Sequence, residues 1–170
     1  MNEVINRLDK QFKELEYSLE FTKKPILIGG MAKEYHGIRK SGPDIDLVIC
    51  DQDYQLLARK YPDNKKDIWG DLGIVLGQFE IWRCIMLLDY DFYLKDAIDE
   101  GVAYIASLDR LLLMCVLAMD VEKYMNDLKL IKDYYHQKFL NPNFCKYMEE
   151  HCASYKSAGG IVYGGKYMDK

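Results

Sequence analysis

Hydrophobic residues along the chain change their spacing several times, and each change predicts an element. Val4, Ile5, Leu8, Phe12, Leu15 and Leu19 recur at helical intervals and predict a first helix over about residues 2–20. After Pro25 the run Ile26 to Ile28 reads as a short buried strand. Gly29 and Gly30 then turn the chain into a short helix over 31–36, and the polar stretch "GIRKSGP" predicts a loop. Ile45, Leu47, Val48 and Ile49 mark a second strand, and Asp51 is a plausible cap for a helix through Lys60. The segment "YPDNKKD" predicts a polar connection, and residues 68–88 hold further strands, of which "FEIWRCIML" is the clearest.

Beyond Ser107 the pattern becomes helical, over 108–119 and again over 121–139. Asn141 and Pro142 predict the opening of another helix, and the tail "SAGGIVYGGKYMDK" is rich in glycine. Early alternation of strand and helix followed by helices alone predicts an α+β chain with a small mixed sheet. The expected division is a core over residues 1–106 and a C-terminal helical extension over 107–170, packed on that core.

Composition narrows the function classes. A net charge of −4 gives no footprint for tight, non-specific nucleic-acid binding. The N-terminus "MNEVINRLDKQFKELE" is charged throughout and is not expected to be a signal peptide. The apolar run from Leu111 to Met119 is too short to cross a bilayer, so no membrane association is expected. Five cysteines without regular spacing suggest reduced thiols and a cytoplasmic protein.

The chemistry gathers in "ILIGGMAKEYHGIRKSGPDIDLVI", residues 26–49. Residues two apart on a strand face one side, so Asp44 and Asp46 would lie close together. Two unpaired carboxylates repel, and desolvation adds to the cost. A hard, oxygen-seeking cation between them, Mg²⁺ or Mn²⁺, would relieve it. The alternative is that Asp44 sits at the strand mouth and caps the Gly42-Pro43 turn, leaving Asp46 to explain. A strand, a Gly-Gly turn and a helix N-terminus also make a place where backbone N–H groups approach a phosphate. Gly29 and Gly30 stand there.

"GGMAKEYHGIRKSGPDIDLVI" resembles the signature of the nucleotidyltransferase superfamily that includes DNA polymerase β. The spacing and the "YHGIRK" segment are closest to its CCA-adding-like and AbiEii-toxin-like branches. The resemblance implies a nucleotidyltransferase fold, two divalent ions and an NTP, with ATP among the candidates, as donor. It implies transfer of a nucleoside monophosphate to a hydroxyl of an RNA 3′ end, a protein or a small molecule. A partner protein or antitoxin is implied by the toxin-like branch.

Family members place a third acidic residue on a neighbouring strand. Glu80, a lone charge in "GQFEIWRCIML" on the same face as Trp82, is the candidate, with Asp89 and Asp91 of "LLDYDFY" as the alternative. Asp44, Asp46 and Glu80 would be both the metal ligands and the catalytic carboxylates. In "SLDRLLLMCVLAMDVEKYMNDLKLI" Lys123 and Asp127 match a K-x-x-x-D-L pattern, in which the lysine contacts triphosphate and the aspartate is a polar site residue. They stand four apart and would share one helical face. Cys115 occupies a place where relatives carry a lysine, so phosphate contacts would fall to Lys33, Arg39 or Lys40. His36 is a weaker candidate, and Cys145, His151 and Cys152 lack zinc-site spacing. The second functional reading is a regulatory module of this fold that binds NTP without turning it over.

Overall fold

In the computed structural model of the protein, which describes residues 2–68 and 70–139 with Lys146, Glu150 and Ala153, the early apolar runs become the middle of a mixed sheet. Contacts divide the chain into two compact units, residues 1–131 and 132–170. The expected division at residue 106 separated core from extension by sequence character; the division by contacts falls later. The predicted helix at Asn141-Pro142, the glycine-rich tail and Cys145, His151 and Cys152 lie outside the described residues.

Helix α1 (Glu3–Glu14) is capped by Asn2, whose side chain accepts the Val4 N–H at 2.9 Å. It buries Val4, Ile5 and Leu8 and stacks Phe12 on Phe79, ring centroids 5.2 Å apart. The helix stops short of the expected residue 20. Leu15 and Leu19 still pack against the core, but from non-helical chain. Tertiary contacts hold that segment: Tyr17 meets Tyr61 edge-on, and Ser18 O accepts from Lys60 Nζ and Tyr61 OH, each at 3.2 Å. Helical spacing alone could not register this.

Strand β1 (Ile26–Leu27) leads into α2 (Gly29–Tyr35), and β2 (Ile45–Val48) into α3 (Asp51–Lys60), where Cys50 rather than Asp51 holds the cap position. Strands β3 (Lys65–Ile68), β4 (Asp71–Leu76) and β5 (Phe79–Trp82) follow as an antiparallel meander. The polar connection expected at "KKD" is therefore a strand. It forms one side of the sheet where β4 alone pairs with it, and its charged residues suit such an edge.

The long strand expected through "FEIWRCIML" ends at Trp82. A separate hairpin follows, β6 (Cys84–Ile85) and β7 (Leu88–Asp89). Its turn residues Met86 and Leu87 both have positive φ, 54° and 58°. The buried Asp71 carboxylate accepts both of their N–H groups, at 2.7 and 2.9 Å, and holds the turn. Helix α4 (Tyr90–Leu94) starts at the Asp89 cap, then come β8 (Ile98–Asp99), β9 (Tyr104–Ile105), α5 (Leu108–Leu117) and α6 (Glu122–Phe139).

The sheet order is β3-β4-β5-β2-β1-β9-β8, with β2–β5 and β1–β9 parallel and the other pairs antiparallel. Together with the six described helices this is the α+β class. Ile26, Leu27, Leu47, Val48, Ile74, Phe79, Ile81 and Ile105 form the buried sheet interior. Among the described residues no helix is long and apolar enough to cross a membrane.

One buried charge cluster joins α2, the loop after it and α6. Lys33, 1 % exposed, lies 2.5 Å from Asp127 Oδ2. Arg39 reaches the same carboxylate through Nε to Oδ1 and through Nη2 to Oδ2 at 2.9 Å. Lys123, four residues before Asp127 on α6, lies over the Tyr124 ring at 5.8 Å and makes no ion pair with Asp127. Burial alone would raise the Asp127 carboxyl, but the bonds from Arg39 and Lys33 outweigh it and hold it below its ordinary value. Removing one partner of a buried pair leaves an uncompensated charge and costs about 3–5 kcal/mol. Asp127→Asn is therefore expected to lose about that much stability in urea denaturation at pH 7, whereas Lys123→Gln stays within about 0.5 kcal/mol.

Candidate functional site

The two glycines, the two aspartates and Glu80 come together at one end of β1, because the sheet runs β1 antiparallel to β2 and β2 parallel to β5. The end of β1 thus meets the start of β2. Asp46 and Glu80 are register partners and share a sheet face. Asp44 precedes β2 at its mouth and is exposed, while Asp46 is half-buried.

Gly29 has φ +64°, the left-handed region that glycine enters freely. A Cβ built on it would stand 2.0 Å from Asp46 Oδ2 and 2.7 Å from Asp46 Cγ. The Asp46 carboxylate is therefore seated directly against the glycine turn. Gly30 is different: a Cβ there meets Arg39 Nη1 and Ser41 Cβ at 3.6 Å, an ordinary contact. The packing requirement falls on Gly29, whereas a Cβ on Gly30 would make only ordinary contacts. The first-turn amides of α2 have no helical carbonyl to bond.

These residues line a cavity of about 350 Å³. Gly29, Gly30, Lys33, Asp44, Asp46, Lys66, Glu80 and Lys123 give it a charged, polar side. Trp82, Ile85, Met86, Met114 and Tyr124 give it an apolar one. Arg39 is not part of the lining; it stands behind it on Asp127. Lys33 reaches the cavity wall while bound to the same carboxylate. Both were expected to serve phosphate, and both are engaged by Asp127. Asp127 is itself 2 % exposed and sits behind the cavity as the counter-charge.

Electrostatics follow from this crowding. Burial, then Glu80 and Asp44, raise the pKa of Asp46 above the usual carboxylate value; Lys123 and, more weakly, Trp82 oppose them. The indole Nε1 of Trp82 is buried beside this carboxylate without a hydrogen bond of normal geometry. Cys115, where a lysine was expected by resemblance, is fully buried against the Lys33 cluster; burial pushes its thiol up and Lys33 draws it partly back.

Other candidates are spent elsewhere. His36 Nε2 bonds the Ala106 carbonyl at 2.8 Å. Lys40 pairs with Glu34 at 3.0 Å. Asp89 caps α4 through Phe92 N–H at 3.1 Å and, with Asp91, lines a separate cleft beside Cys50 and Arg83. Unlike Asp89 and Asp91, Glu80 lines the same cavity as Asp44 and Asp46, as does the Asp71 that holds the β6–β7 turn.

Sequence reasoning missed two residues. Glu34 receives Arg7 at 2.6 Å, Lys40, and both the N–H and hydroxyl of Ser41, and so shapes the loop ahead of Asp44. The Arg7 bond is the main reason its carboxyl lies far below the ordinary range. Its place in "MAKEYH", one residue after Lys33, carried no signal for a partner from α1. Lys66, 3.1 Å from Glu80 Oε1, was hidden in the segment read as a connection.

Whether a divalent ion suits these residues can be judged from their donors. The carboxylates of Asp44, Asp46 and Glu80 concentrate negative charge, and Glu80 and Asp44 add to burial in raising the Asp46 carboxyl above its ordinary value. Among the described residues, no three His, Cys, Asp or Glu side chains converge closely enough to hold one ion together. Among the described residues Asp44 and Asp46 are the carboxylates of this group without an ion-pair partner, whereas Glu80 is paired with Lys66.

No protein-family model, no curated protein and no solved structure matches the chain. The resemblance to nucleotidyltransferases therefore rests on the motif residues.

A carboxyl whose pKa is raised by folding favours the folded state below the ordinary aspartate value of about 3.9 and turns unfavourable as pH rises through the raised value. Without metal, Asp46→Asn is expected to melt above the wild type at pH 7, and the gap should close as pH falls below about 4. Thermal melts across that range check it; equal melting at pH 7 would show that Asp46 bears no such strain.

Proposed function

We propose that this chain is an NTP-dependent nucleotidyltransferase that moves a nucleoside monophosphate onto a hydroxyl acceptor. The observation that carries the reading is the seating of Asp46 directly against Gly29, with Glu80 in register beside it. A phosphate-approaching turn and a carboxylate cluster facing one cavity are what phosphoryl chemistry needs. The nucleotidyltransferase fold belongs to this proposal.

In the proposed reaction the acceptor oxygen attacks the α-phosphorus, the bond from that phosphorus to the bridging oxygen breaks, and pyrophosphate leaves. The free amides at the start of α2 bind phosphate oxygens. Lys123, exposed at the cavity wall, adds a positive charge for the triphosphate. Lys33 contributes its charge from the wall while Asp127 fixes its position. One of the three carboxylates, Asp44, Asp46 or Glu80, would accept the hydroxyl proton. Mg²⁺ or Mn²⁺ at Asp44 and Asp46, when bound, would neutralise phosphate charge and acidify the acceptor hydroxyl.

The apolar wall of Trp82, Met86, Met114 and Tyr124 suits the base or sugar of the nucleotide. The net charge of −4 favours a protein or small-molecule acceptor over a large RNA. The free thiols of Cys50, Cys84 and Cys115 agree with a cytoplasmic setting. One observation favours the second reading, a nucleotide-binding module without turnover: Lys33 and Arg39 are both committed to Asp127.

The deciding experiment incubates the protein with each α-labelled NTP, Mg²⁺ and either lysate protein, total RNA or a small-molecule extract. Label should pass to one acceptor class, and Asp46→Asn should abolish it. NTP-dependent thermal stabilisation without any label transfer would establish the binding module instead. Gly30→Ala is expected to weaken nucleotide binding at least tenfold, about 1.4 kcal/mol, with little change in stability, since Gly30 lines the cavity while a Cβ there makes only ordinary contacts with Arg39 and Ser41. Equal loss of binding and stability would assign Gly30 to packing.

A further inference from the structure

Lys66 is a charged cavity residue that the proposed chemistry does not use. It lies on β3, at the side of the sheet, yet its Nζ donates to Glu80 Oε1 at 3.1 Å and stands 5.2 Å from the Trp82 ring centroid. Its path across the sheet is built in. Gly73 on β4 is the register partner of both Lys66 and Trp82. A Cβ on Gly73 would come within 2.6 Å of Trp82 Cε3, so the indole occupies the space a side chain would have filled. Lys66 then finds an aromatic ring and a carboxylate together, and both attract an ammonium.

The acidic cluster is divided as a result. Among the described residues, neither Asp44 nor Asp46 is in an ion pair, while Glu80 is paired with Lys66. The pair is reachable from solvent, its side chains 36 % and 28 % exposed. A divalent ion that also bound Glu80 would have to expel the ammonium or bear its repulsion.

We propose, resting on the nucleotidyl-transfer reading of this cavity, that Lys66 is a resident cation: the site takes a single divalent ion, at Asp44 and Asp46, and the ammonium on Glu80 supplies the second positive charge facing the nucleotide phosphates. Gly73 and Trp82 are the residues that place it there. The consequence is an ion stoichiometry set by one lysine.

The test counts Mn²⁺ bound per chain, by electron paramagnetic resonance of the free ion, with no nucleotide present. Wild type and Lys66→Arg are expected to bind one ion, and Asp46→Asn to lose it. Lys66→Gln should bind a second ion, and Lys66→Gln combined with Glu80→Gln should return to one. Lys123→Gln, which removes a charge from the same cavity, should tighten the first ion without adding another. Far-ultraviolet circular dichroism checks that each variant is folded. Two ions on the wild type, one ion on Lys66→Gln, or a second ion on Lys123→Gln would overturn the role of Lys66 and leave the nucleotidyl-transfer reading standing. A wild type that binds no Mn²⁺ would overturn both.

Discussion

The Asp46 carboxylate lies so close to Gly29 that no side chain fits between them, and the arrangement of the site follows from that contact. Gly29 must be glycine twice over, for its positive φ and for the carboxylate against it. The contact fixes the turn into α2 relative to the strand that carries the acids. It also brings the first-turn amides of α2 to the cavity that Asp46 faces. The antiparallel pairing of β1 with β2 supplies the scaffold, since it returns the chain to the same end of the sheet.

Concentrating carboxylates there costs stability, and the fold offsets it with cations placed at different depths. Lys33 and Arg39 converge on Asp127 behind the cavity and carry two positive charges against one negative. Lys66 reaches Glu80 from the sheet edge, and Lys123 stands at the exposed wall. The rear cluster is buried, where breaking a pair is expensive. The front pair is only half-buried, where an ion pair is worth less. That gradient suits a site whose back wall must be rigid while its mouth accepts a charged ligand.

Much of this was legible in the chain. The Gly-Gly turn, the D-x-D and Glu80 were readable because each breaks a strong local pattern: glycines ending an apolar run, acids inside one. The α+β class followed from the alternation of short strands and helices. The end of α1 was not, because Leu15 and Leu19 satisfy helical spacing and reach the core from irregular chain alike. Strand β3 was not, because an edge strand with "KKDI" shows no apolar alternation. The break after Trp82 was not, because Asp71, distant from the turn in sequence, stabilises the positive φ of Met86 and Leu87.

By itself, then, the sequence determined which residues could carry chemistry and which face of their own strand or helix they occupy, since period and spacing are local properties. Tertiary structure decided their partners. Asp127 and Lys123 are neighbours in spacing, yet Asp127 binds Lys33 and Arg39, because burial makes the carboxylate seek every available cation and only the packed fold brings α2 beside α6. Lys66 meets Glu80 because the missing side chain of Gly73 admits Trp82 and the β3–β4–β5 register aligns all three. Sequence spacing cannot contain such a contact, because it depends on which strands lie side by side and on what one of them lacks.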